Sequence, residues 1–439
     1  MFFERPEAGR RAVLLHVNFK GPAPGEALDT VEECAELALT AGVDITQTLS
    51  ATRIAPHPRS FIGEGKLREI EACLQAADAD LLLVNNELSA GQQRNLEQAL
   101  HCRVMTRTEL ILHIFADRAR TYEGKLQVEL AQLKHAQTRL VRGWTHLDRQ
   151  KGGIGLRGAG ETQLEMDQRM LGERVKTLQK KLVSVARRRG QGRKRRRRDR
   201  VRVVSLVGYT NAGKSTIFNA LTAANVVAED QLFATLDPTM RQLPIPGIGE
   251  VVLTDTVGFI SHLPHSLVEA FKATLEEVAN ADLLLHIVDA SAPDVEARIR
   301  TVNEVLEEIG ASDLPTIMLY NKIDALPVGA EAQFDVGNTS MPVSARTGQG
   351  LDALLEAVAS RLGVTAPTEV LLPPEAGRTR AWLYRLGAVL SERVQEDGSL
   401  ALMVQADQDL LSRLSMQPKV LLQGRGRDPR ISALPGDLP

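Results

Sequence analysis

Residues 1–117 alternate between short apolar runs and stretches whose apolar residues recur at helical spacing. The runs predict strands and the stretches predict helices, because side chains repeat every two residues along a strand and about every 3.6 along a helix. In chain order the predicted elements are strand 12–19, helix 29–41, strand 43–53, helix 66–77, strand 80–85 and helix 89–100, which begins at the capping residue Ser89. This alternation predicts an N-terminal α/β domain, residues 1–117, with a mostly parallel sheet covered by helices.

The pattern changes at residue 118, where apolar residues keep helical spacing over two long stretches. The first stretch carries them at Tyr122, Leu126, Leu130 and Leu133. The second forms a heptad seam, made by Leu164, Leu171, Val175, Leu178, Leu182 and Val185. Two such helices predict an antiparallel helical hairpin over residues 118–189, with a basic, glycine-rich tip loop at residues 146–160.

The rest of the chain predicts a linker and two further domains. Residues 187–200 are a basic run, of which residues 190–200 are expected to form a flexible basic linker. Residues 201–363 again alternate strands and helices and predict a parallel α/β domain. Proline-rich residues 364–374 start the tail. It reads as strand, helix, a turn at Asp397-Gly398, strand and helix, which predicts a small α+β domain at residues 368–439.

The composition is that of a globular protein with several domains. Of 439 residues 43% are hydrophobic, and a chain of this length is expected to hold roughly two to four domains. Cys34, Cys73 and Cys102 lie far apart without a Cys-x-x-Cys pair, which argues for a reducing compartment and against structural zinc. The N-terminus lacks the apolar core of a signal peptide, and no stretch approaches roughly 18 uninterrupted apolar residues, so we expect a cytoplasmic protein without a membrane span.

The net charge of −2 conceals a strong asymmetry. Residues 118–200 hold 24 basic and 8 acidic side chains, whereas the remainder holds 29 basic and 47 acidic ones. A cationic segment in an otherwise anionic chain predicts a polyanionic partner, and nucleic acid is the leading candidate.

A phosphate loop directly follows a predicted strand at residues 201–207. Its glycine, four residues and Gly-Lys-Ser precede a predicted helix, so the backbone amides can surround a phosphate at the helix N-terminus. We expect Lys214 to neutralise the β- and γ-phosphate oxygens and the Ser215 hydroxyl to ligate Mg²⁺. The predicted nucleotide contacts here are Gly208, Tyr209, Thr210, Asn211, Ala212, Gly213, Lys214, Ser215 and Thr216.

Three further motifs end predicted strands and complete a guanine-nucleotide site. In the first, Asp255 is expected to hold Mg²⁺ through water and the Gly258 amide to meet the γ-phosphate. In the second, Asp324 can accept hydrogen bonds from the ring N–H and exocyclic amine of guanine, a pair that adenine lacks. The third is expected to support the base. Their residues are Asp255, Thr256, Val257 and Gly258; Asn321, Lys322, Ile323 and Asp324; and Ser344, Ala345 and Arg346.

A threonine that binds Mg²⁺ only when the γ-phosphate is present is expected between these motifs. Thr235 follows Ser215 by 20 residues and is the preferred candidate, with Thr239 as the competing assignment. The segment of predicted contacts is Phe233, Ala234, Thr235, Leu236 and Asp237. Ser215 and Thr235 are thus the candidate metal ligands, and Lys214, Thr235 and Gly258 the candidate catalytic residues.

The position after Gly258 departs from the Ras pattern. Ras-like proteins carry a glutamine there that orients the attacking water, whereas this chain has Phe259, which cannot. Slow intrinsic hydrolysis is therefore expected, with a partner or an ion completing the site. Our hypothesis is that the amide oxygen of Asn211 helps to hold a K⁺ whose charge replaces an arginine finger; the alternative is a loop-capping asparagine.

These elements resemble the HflX family of ribosome-associated GTPases from about residue 60 to residue 363. The nucleotide motifs alone would fit many relatives, and longer matches carry the resemblance. They are residues 60–66 (SFIGEGK), 107–116 (RTELILHIFA), 123–133 (EGKLQVELAQL), 152–165 (GGIGLRGAGETQLE) and 233–239 (FATLDPT). Ala159 and Gln168 are small departures from the family's usual proline and arginine.

The resemblance implies binding to the large ribosomal subunit, stimulation of GTP hydrolysis there, and splitting or rescue of stalled ribosomes under stress. It also implies that the hairpin brings its tip loop to ribosomal RNA, where Arg149, Lys151 and Arg157 would meet phosphates. The implied fold is a P-loop GTPase domain joined to the N-terminal α/β domain with its hairpin. A monomer is expected. Two alternatives stay open: an ATP-dependent RNA or ribosome remodeller, and a regulator that recruits a partner in its GTP-bound state without hydrolysis.

Overall fold

A computed structural model describes most of the chain. The described residues are 11–19, 31–143, 159–198, 201–222, 232–233, 235–236, 238–245, 247–260, 275–327, 329, 334, 339–365, 367–417 and 420–423, with backbone alone for 140–143, 159–165 and 193–198.

The N-terminal region folds around a four-stranded parallel sheet of order β2-β1-β3-β4. Its strands are β1 (Arg11–Phe19), β2 (Asp44–Arg53), β3 (Leu81–Val84) and β4 (Arg103–Thr106), and its helices are α1 (Val31–Thr40), α2 (Glu64–Ala77), α3 (Ala90–Leu100) and α4 (Arg107–Arg118). The Ser89 hydroxyl caps α3 as predicted, because it accepts a hydrogen bond from the Gln92 amide. The strand order reverses between β1 and β3, and in open α/β sheets ligands commonly bind outside the carboxyl ends of the strands at such a point.

Two long helices form the predicted hairpin. Helix α5 (Tyr122–Gly143) packs along α6 (Ala159–Arg198) through an apolar cluster that includes Leu126, Leu130 and Leu178. Ion pairs join Arg174 to Glu129 at 2.5 Å and Arg189 to Glu123 at 2.8 Å, so later residues of α6 face earlier residues of α5, as in an antiparallel pair. The predicted tip-loop contacts Arg149, Lys151 and Arg157 lie outside the described residues.

The expectation of a flexible linker at residues 190–200 is wrong for residues 190–198, because α6 continues to Arg198. Arginine and lysine are good helix formers, and extending an existing helix avoids the cost of nucleation. Gly190 and Gly192 each cost about 1 kcal/mol relative to alanine. The ion pair between Arg189 and the mostly buried Glu123 anchors this part of α6 against α5.

A six-stranded sheet of order β10-β9-β8-β5-β7-β6 forms the centre of the next region, with β6 antiparallel to β7 and its other pairs parallel. Its strands are β5 (Val203–Gly208), β6 (Thr239–Ile245), β7 (Gly249–Asp255), β8 (Leu283–Asp289), β9 (Thr316–Asn321) and β10 (Ser340–Pro342), and the helices are α7 (Lys214–Thr222), α8 (Val295–Glu308) and α9 (Leu351–Arg361). Strands β5, β7, β8 and β9 share one direction, so their carboxyl ends bring together the predicted nucleotide motifs.

The C-terminal region is an antiparallel sheet of order β12-β13-β11-β14 covered by two helices. Its elements are β11 (Thr368–Leu372), α10 (Gly377–Arg385), β12 (Val389–Val394), β13 (Leu400–Val404), α11 (Gln408–Ser415) and β14 (Leu421–Gln423). The expected turn joins β12 to β13, with Gly398 at φ 78°. This confirms an α+β arrangement and adds β12 and β14, which the sequence pattern did not predict.

Among the helices that the structure describes, none combines the length and apolarity needed to cross a membrane.

Candidate nucleotide site

The predicted phosphate loop lies between β5, which ends at Gly208, and α7, which begins at Lys214. Gly213 has φ 92°, and a Cβ there would overlap the Asn321 side chain. The Asn321 amide nitrogen donates to the Ala212 carbonyl at 2.8 Å, and its oxygen accepts from the Ala345 amide at 3.0 Å. Asn321 therefore ties the phosphate loop to the loop that follows β10.

A cleft of about 430 Å³ opens at the carboxyl ends of these strands. It brings together residues from all the predicted nucleotide motifs: Thr210, Asn211, Gly213, Lys214, Ser215, Thr216, Phe233, Thr235, Thr256, Gly258, Asn321, Lys322, Asp324, Ala325, Ala345 and Arg346. Of these, only Ala325 was not among the predicted contacts. The other described candidates lie beside the cleft rather than on its lining, namely Gly208, Tyr209, Ala212, Leu236, Asp255, Val257, Ile323 and Ser344. Ala234 and Asp237 lie outside the described residues.

Three oxygen-bearing side chains converge beside Lys214. Ser215 Oγ and Thr235 Oγ1 lie 2.8 Å apart, and they donate to Asp255 Oδ2 at 2.7 and 2.9 Å. Asp255 Oδ1 is buried and has no hydrogen-bond partner among the described residues. This all-oxygen set, with a buried carboxylate oxygen left over, fits the ligands that Mg²⁺ takes.

Burial shifts the ionisation of both charged groups at the base of the cleft. It lowers the pKa of the Lys214 ammonium to about 8, although the Asp255 carboxylate opposes that shift. It also raises the pKa of Asp255, against a hydrogen bond from Ser215 and the charge of Lys214. Each group therefore favours the charged form of the other, and a bound anion would further favour protonated Lys214.

Gly258 approaches the phosphate loop so closely that a side chain cannot fit. A Cβ at this position would lie 2.9 Å from Thr210 Cγ2 and 3.0 Å from Lys214 Nζ. The Gly258 backbone can therefore come close to whatever Lys214 binds.

The side of the cleft beyond Asn321 presents a carboxylate held by a serine. Ser344 Oγ donates to Asp324 Oδ1 at 2.7 Å and accepts from the Thr347 amide at 3.1 Å. Because Ser344 is fully buried while Asp324 is exposed, the hydroxyl orients an accessible carboxylate. Such a carboxylate can accept two parallel N–H donors from a ligand.

Family models match four successive segments of this chain. They are described as GTP-binding GTPase N-terminal for residues 29–116, GTP-binding GTPase Middle Region for 118–196, 50S ribosome-binding GTPase for 203–322 and HflX C-terminal domain for 331–420. A GTPase HflX of Escherichia coli (strain K12) is 51% identical, with 92% of this chain and 95% of the relative covered. The chain belongs to the HflX family of GTPases.

Other HflX relatives agree with this assignment. The GTPase HflX of Caldanaerobacter subterraneus subsp. tengcongensis is 47% identical over 84% of this chain and 86% of its own length, and that of Magnetococcus marinus is 45% identical over 94% and 96%. This HflX-family chain is therefore a GTPase, an enzyme that hydrolyses GTP. The resemblance inferred from its motifs is confirmed, and so is the α/β fold with a P-loop GTPase domain.

The structure explains why this HflX-family chain has phenylalanine after Gly258. Phe259 is 3% exposed and belongs to an apolar cluster that also contains Phe115 of the N-terminal region and Phe233. Its backbone pairs with the phosphate loop, because the Thr210 amide donates to the Phe259 carbonyl at 2.7 Å. The Phe259 side chain thus packs in an apolar cluster shared by the two regions. Burying a polar glutamine there would cost free energy.

Two contributors to the site escaped the sequence analysis. Asp289, at the end of β8, forms an ion pair with Lys322 at 2.8 Å and so holds the segment that carries Asp324. Its position at the carboxyl end of a buried strand was a usable signal. Glu33 accepts a hydrogen bond from the Tyr209 hydroxyl of the phosphate loop across 176 positions of sequence, and for this contact the sequence offers no signal.

Proposed function

We propose that this GTPase works on the large ribosomal subunit, in the cytoplasm and as a monomer. It binds the subunit with GTP, hydrolyses GTP faster there, and splits or rescues stalled ribosomes under stress. The observation that carries the proposal is the match of residues 203–322 to the family model described as 50S ribosome-binding GTPase.

The cleft beside Lys214 is the proposed nucleotide site. Lys214 binds the β- and γ-phosphate oxygens, and the loop of residues 208–216 surrounds the phosphates with its amides. Ser215 and Thr235 would ligate Mg²⁺ directly, with Asp255 acting through water; when bound, that ion neutralises phosphate charge. The convergence of these three side chains on one another supports this assignment.

The γ-phosphate is proposed to order two segments at once. Thr235 is drawn to the phosphate through Mg²⁺, and the Gly258 amide is drawn to the phosphate itself, so hydrolysis releases both. The close approach of Gly258 to the phosphate loop supports this role, since a Cβ at this position would lie 3.0 Å from Lys214 Nζ.

Guanine selectivity is assigned to Asp324, with support for the base from residues 344–346. The hydrogen bond from Ser344 supports this, because it orients the carboxylate toward two parallel donors. Adenine lacks these donors, so the alternative of an ATP-driven remodeller is disfavoured.

The helical hairpin is proposed to supply most of the affinity for ribosomal RNA. Residues 118–200 hold 24 basic and 8 acidic side chains, and α6 carries the basic run to Arg198. The tip-loop residues Arg149, Lys151 and Arg157 are proposed to meet RNA phosphates. Because such contacts release counterions, binding should weaken steeply as salt rises.

GTP turnover with and without purified large ribosomal subunits tests the proposal. We expect a large increase in turnover with the subunits, no such increase with Lys214→Ala, and effective competition by GDP but not by ADP. A parallel pelleting experiment with a non-hydrolysable GTP analogue should place the protein with the subunits. Unchanged turnover together with protein left in the supernatant would contradict the ribosomal role, and competition by ADP would favour the ATP-driven alternative.

A further inference from the structure

One side chain of the phosphate loop is directed into the N-terminal region. Thr210 and Asn211 line the cleft, whereas the neighbouring Tyr209 is 4% exposed and its hydroxyl donates to Glu33 Oε1 at 2.5 Å. Glu33 lies in the first turn of α1. A residue of the phosphate loop therefore bonds directly to another domain of the chain.

The Glu33 carboxylate is held in place by its own domain. Its second oxygen accepts from Arg107 Nη2 at 2.6 Å, and Arg107 Nη1 donates to Asn85 Oδ1 at 3.2 Å. Arg107 and Asn85 are both buried, at 4% and 2% exposure. A buried charge pair with further hydrogen bonds has one well-defined geometry, so Glu33 offers the Tyr209 hydroxyl a rigid acceptor.

These groups lie at the edge of the N-terminal sheet where open α/β sheets commonly bind ligands. Glu33 and Arg107 belong to the first turns of the helices after β1 and β4, and Asn85 directly follows β3. They therefore lie at the carboxyl edge of the sheet, where its strand order reverses. In this structure the Tyr209 hydroxyl reaches Glu33 at this edge of the sheet.

Tyr209 is connected to other parts of the nucleotide site. Its carbonyl accepts from Lys214 Nζ at 2.6 Å, and its backbone forms a parallel bridge with Phe259, the residue after Gly258. The Arg298 guanidinium of α8 lies 5.1 Å from the centre of the Tyr209 ring. A displacement of Tyr209 would thus also shift Lys214 and the segment after Gly258.

A second contact joins the N-terminal region to the segment that contains Thr235. The Phe115 and Phe233 rings meet edge to face, with centroids 4.6 Å apart. Phe233 is 2% exposed and has φ 56°, an uncommon backbone conformation for a bulky residue. The N-terminal region therefore contacts both the phosphate loop and the segment that contains Thr235.

We propose that Glu33 is a positioning residue for the nucleotide site. It fixes Tyr209, and through Tyr209 it holds the phosphate loop in its binding geometry, so the N-terminal domain sets how slowly guanine nucleotide leaves. This inference rests on the proposed nucleotide site beside Lys214.

The experiment measures dissociation of N-methylanthraniloyl-GDP from the full chain and its variants. Tyr209→Phe removes the hydroxyl and should speed release roughly ten-fold, the effect of losing a hydrogen bond to a charged group. Glu33→Gln should speed it less, because an amide oxygen still accepts. In the Tyr209→Phe background, Glu33→Gln should not speed release further, since the hydrogen bond through which Glu33 acts is already lost.

Tyr384→Phe is a matched control in the C-terminal region. The Tyr384 hydroxyl donates to Glu392 at 2.9 Å, and the Arg380 guanidinium lies 5.2 Å from its ring, so the chemistry of the Tyr209 contacts is reproduced away from the nucleotide cleft. This variant should release the analogue at the wild-type rate. The thermal midpoint of each variant, measured alongside, shows whether it is folded.

The outcomes separate this proposal from the one on which it rests. Wild-type release rates in folded Tyr209→Phe and Glu33→Gln would overturn the role of Glu33. A double variant whose increase in release rate is the product of the two single increases would overturn it as well. If Tyr209→Phe does not fold, a wild-type rate in Glu33→Gln alone overturns it. Failure of the wild-type protein to take up the analogue would instead overturn the nucleotide site itself.

Discussion

Ser215 Oγ and Thr235 Oγ1 lie 2.8 Å apart, although Thr235 belongs to a segment that joins α7 to β6 and Ser215 to the helix that follows the phosphate loop. Both hydroxyls donate to the same oxygen of Asp255. Thr239, the competing candidate, is instead the first residue of β6 and pairs with Asp255 through the backbone ladder. The geometry therefore favours Thr235 as the threonine that responds to the γ-phosphate.

Thr235→Ala should distinguish the GTP state from the GDP state. Loss of one ligand for Mg²⁺ and the γ-phosphate should slow GTP hydrolysis by roughly 100-fold and leave GDP affinity nearly unchanged. Single-turnover hydrolysis and equilibrium titration with GDP measure the two effects. Thr239→Ala is the matched control, and a larger loss of hydrolysis in that variant would reverse the assignment.

Asp324→Asn should move base preference from guanine toward xanthine. The variant amide offers a donor in place of one acceptor, which suits the oxygen that xanthine carries where guanine has its amine. GTP affinity should fall roughly 10- to 100-fold, because one N–H donor of guanine loses its charged acceptor, and XTP affinity should rise. Competition titrations with both nucleotides measure the change, and retained guanine selectivity would contradict the assignment.

Local patterns predicted much of this molecule. The apolar runs that became β1 and β3 were recognisable because most of their side chains are buried, and the Ser89 cap is likewise a local interaction. Strand β4 was not predicted, since four residues, of which Arg103 and Thr106 are polar, carry almost no periodicity. The continuation of α6 to Arg198 was also not predicted. The ion pair between Arg189 and Glu123, which anchors this part of the helix, depends on how α6 packs against α5.

The nucleotide motifs could be found from sequence for a similar reason. Each is a short run of residues at the end of a strand, and parallel strands of one sheet bring such runs together. The contacts of Tyr209 with Glu33 and of Phe233 with Phe115 could not be found in this way. They join residues of different domains, and spacing within either domain contains no information about how the two surfaces meet.

Hydrolysis should depend on which monovalent cation is present. Asn211 lines the cleft at φ 56° beside the phosphate loop, where its amide oxygen is proposed to help hold a K⁺ next to the phosphates. Turnover should be roughly ten-fold faster in K⁺ than in Na⁺ at equal ionic strength. Asn211→Ala should remove the difference, and equal wild-type rates in both salts would rule out this role.

His286 should make the protein less stable as pH falls from about 6.5. This side chain belongs to β8 and is 2% exposed, and burial together with the Lys214 charge lowers its pKa to about 4 from 6.5. Between about pH 6.5 and pH 4, His286 is therefore protonated in the unfolded chain but not in the folded protein. The free energy of unfolding decreases as pH falls through this range. Between pH 7 and pH 5 this one group should remove about 2 kcal/mol from the free energy of unfolding.

His286→Gln isolates that contribution, because glutamine does not titrate. Urea unfolding followed by circular dichroism at pH 7 and pH 5, without nucleotide, should show a loss of stability about 2 kcal/mol smaller in the variant than in the wild type. The comparison is between two pH values for each protein, so any constant cost of the substitution cancels. His113→Gln is the control, since it removes a histidine whose side chain is 40% exposed on α4. An equal loss in wild type and His286→Gln would mean that His286 takes up its proton in the folded protein, and that its burial does not exclude the charge.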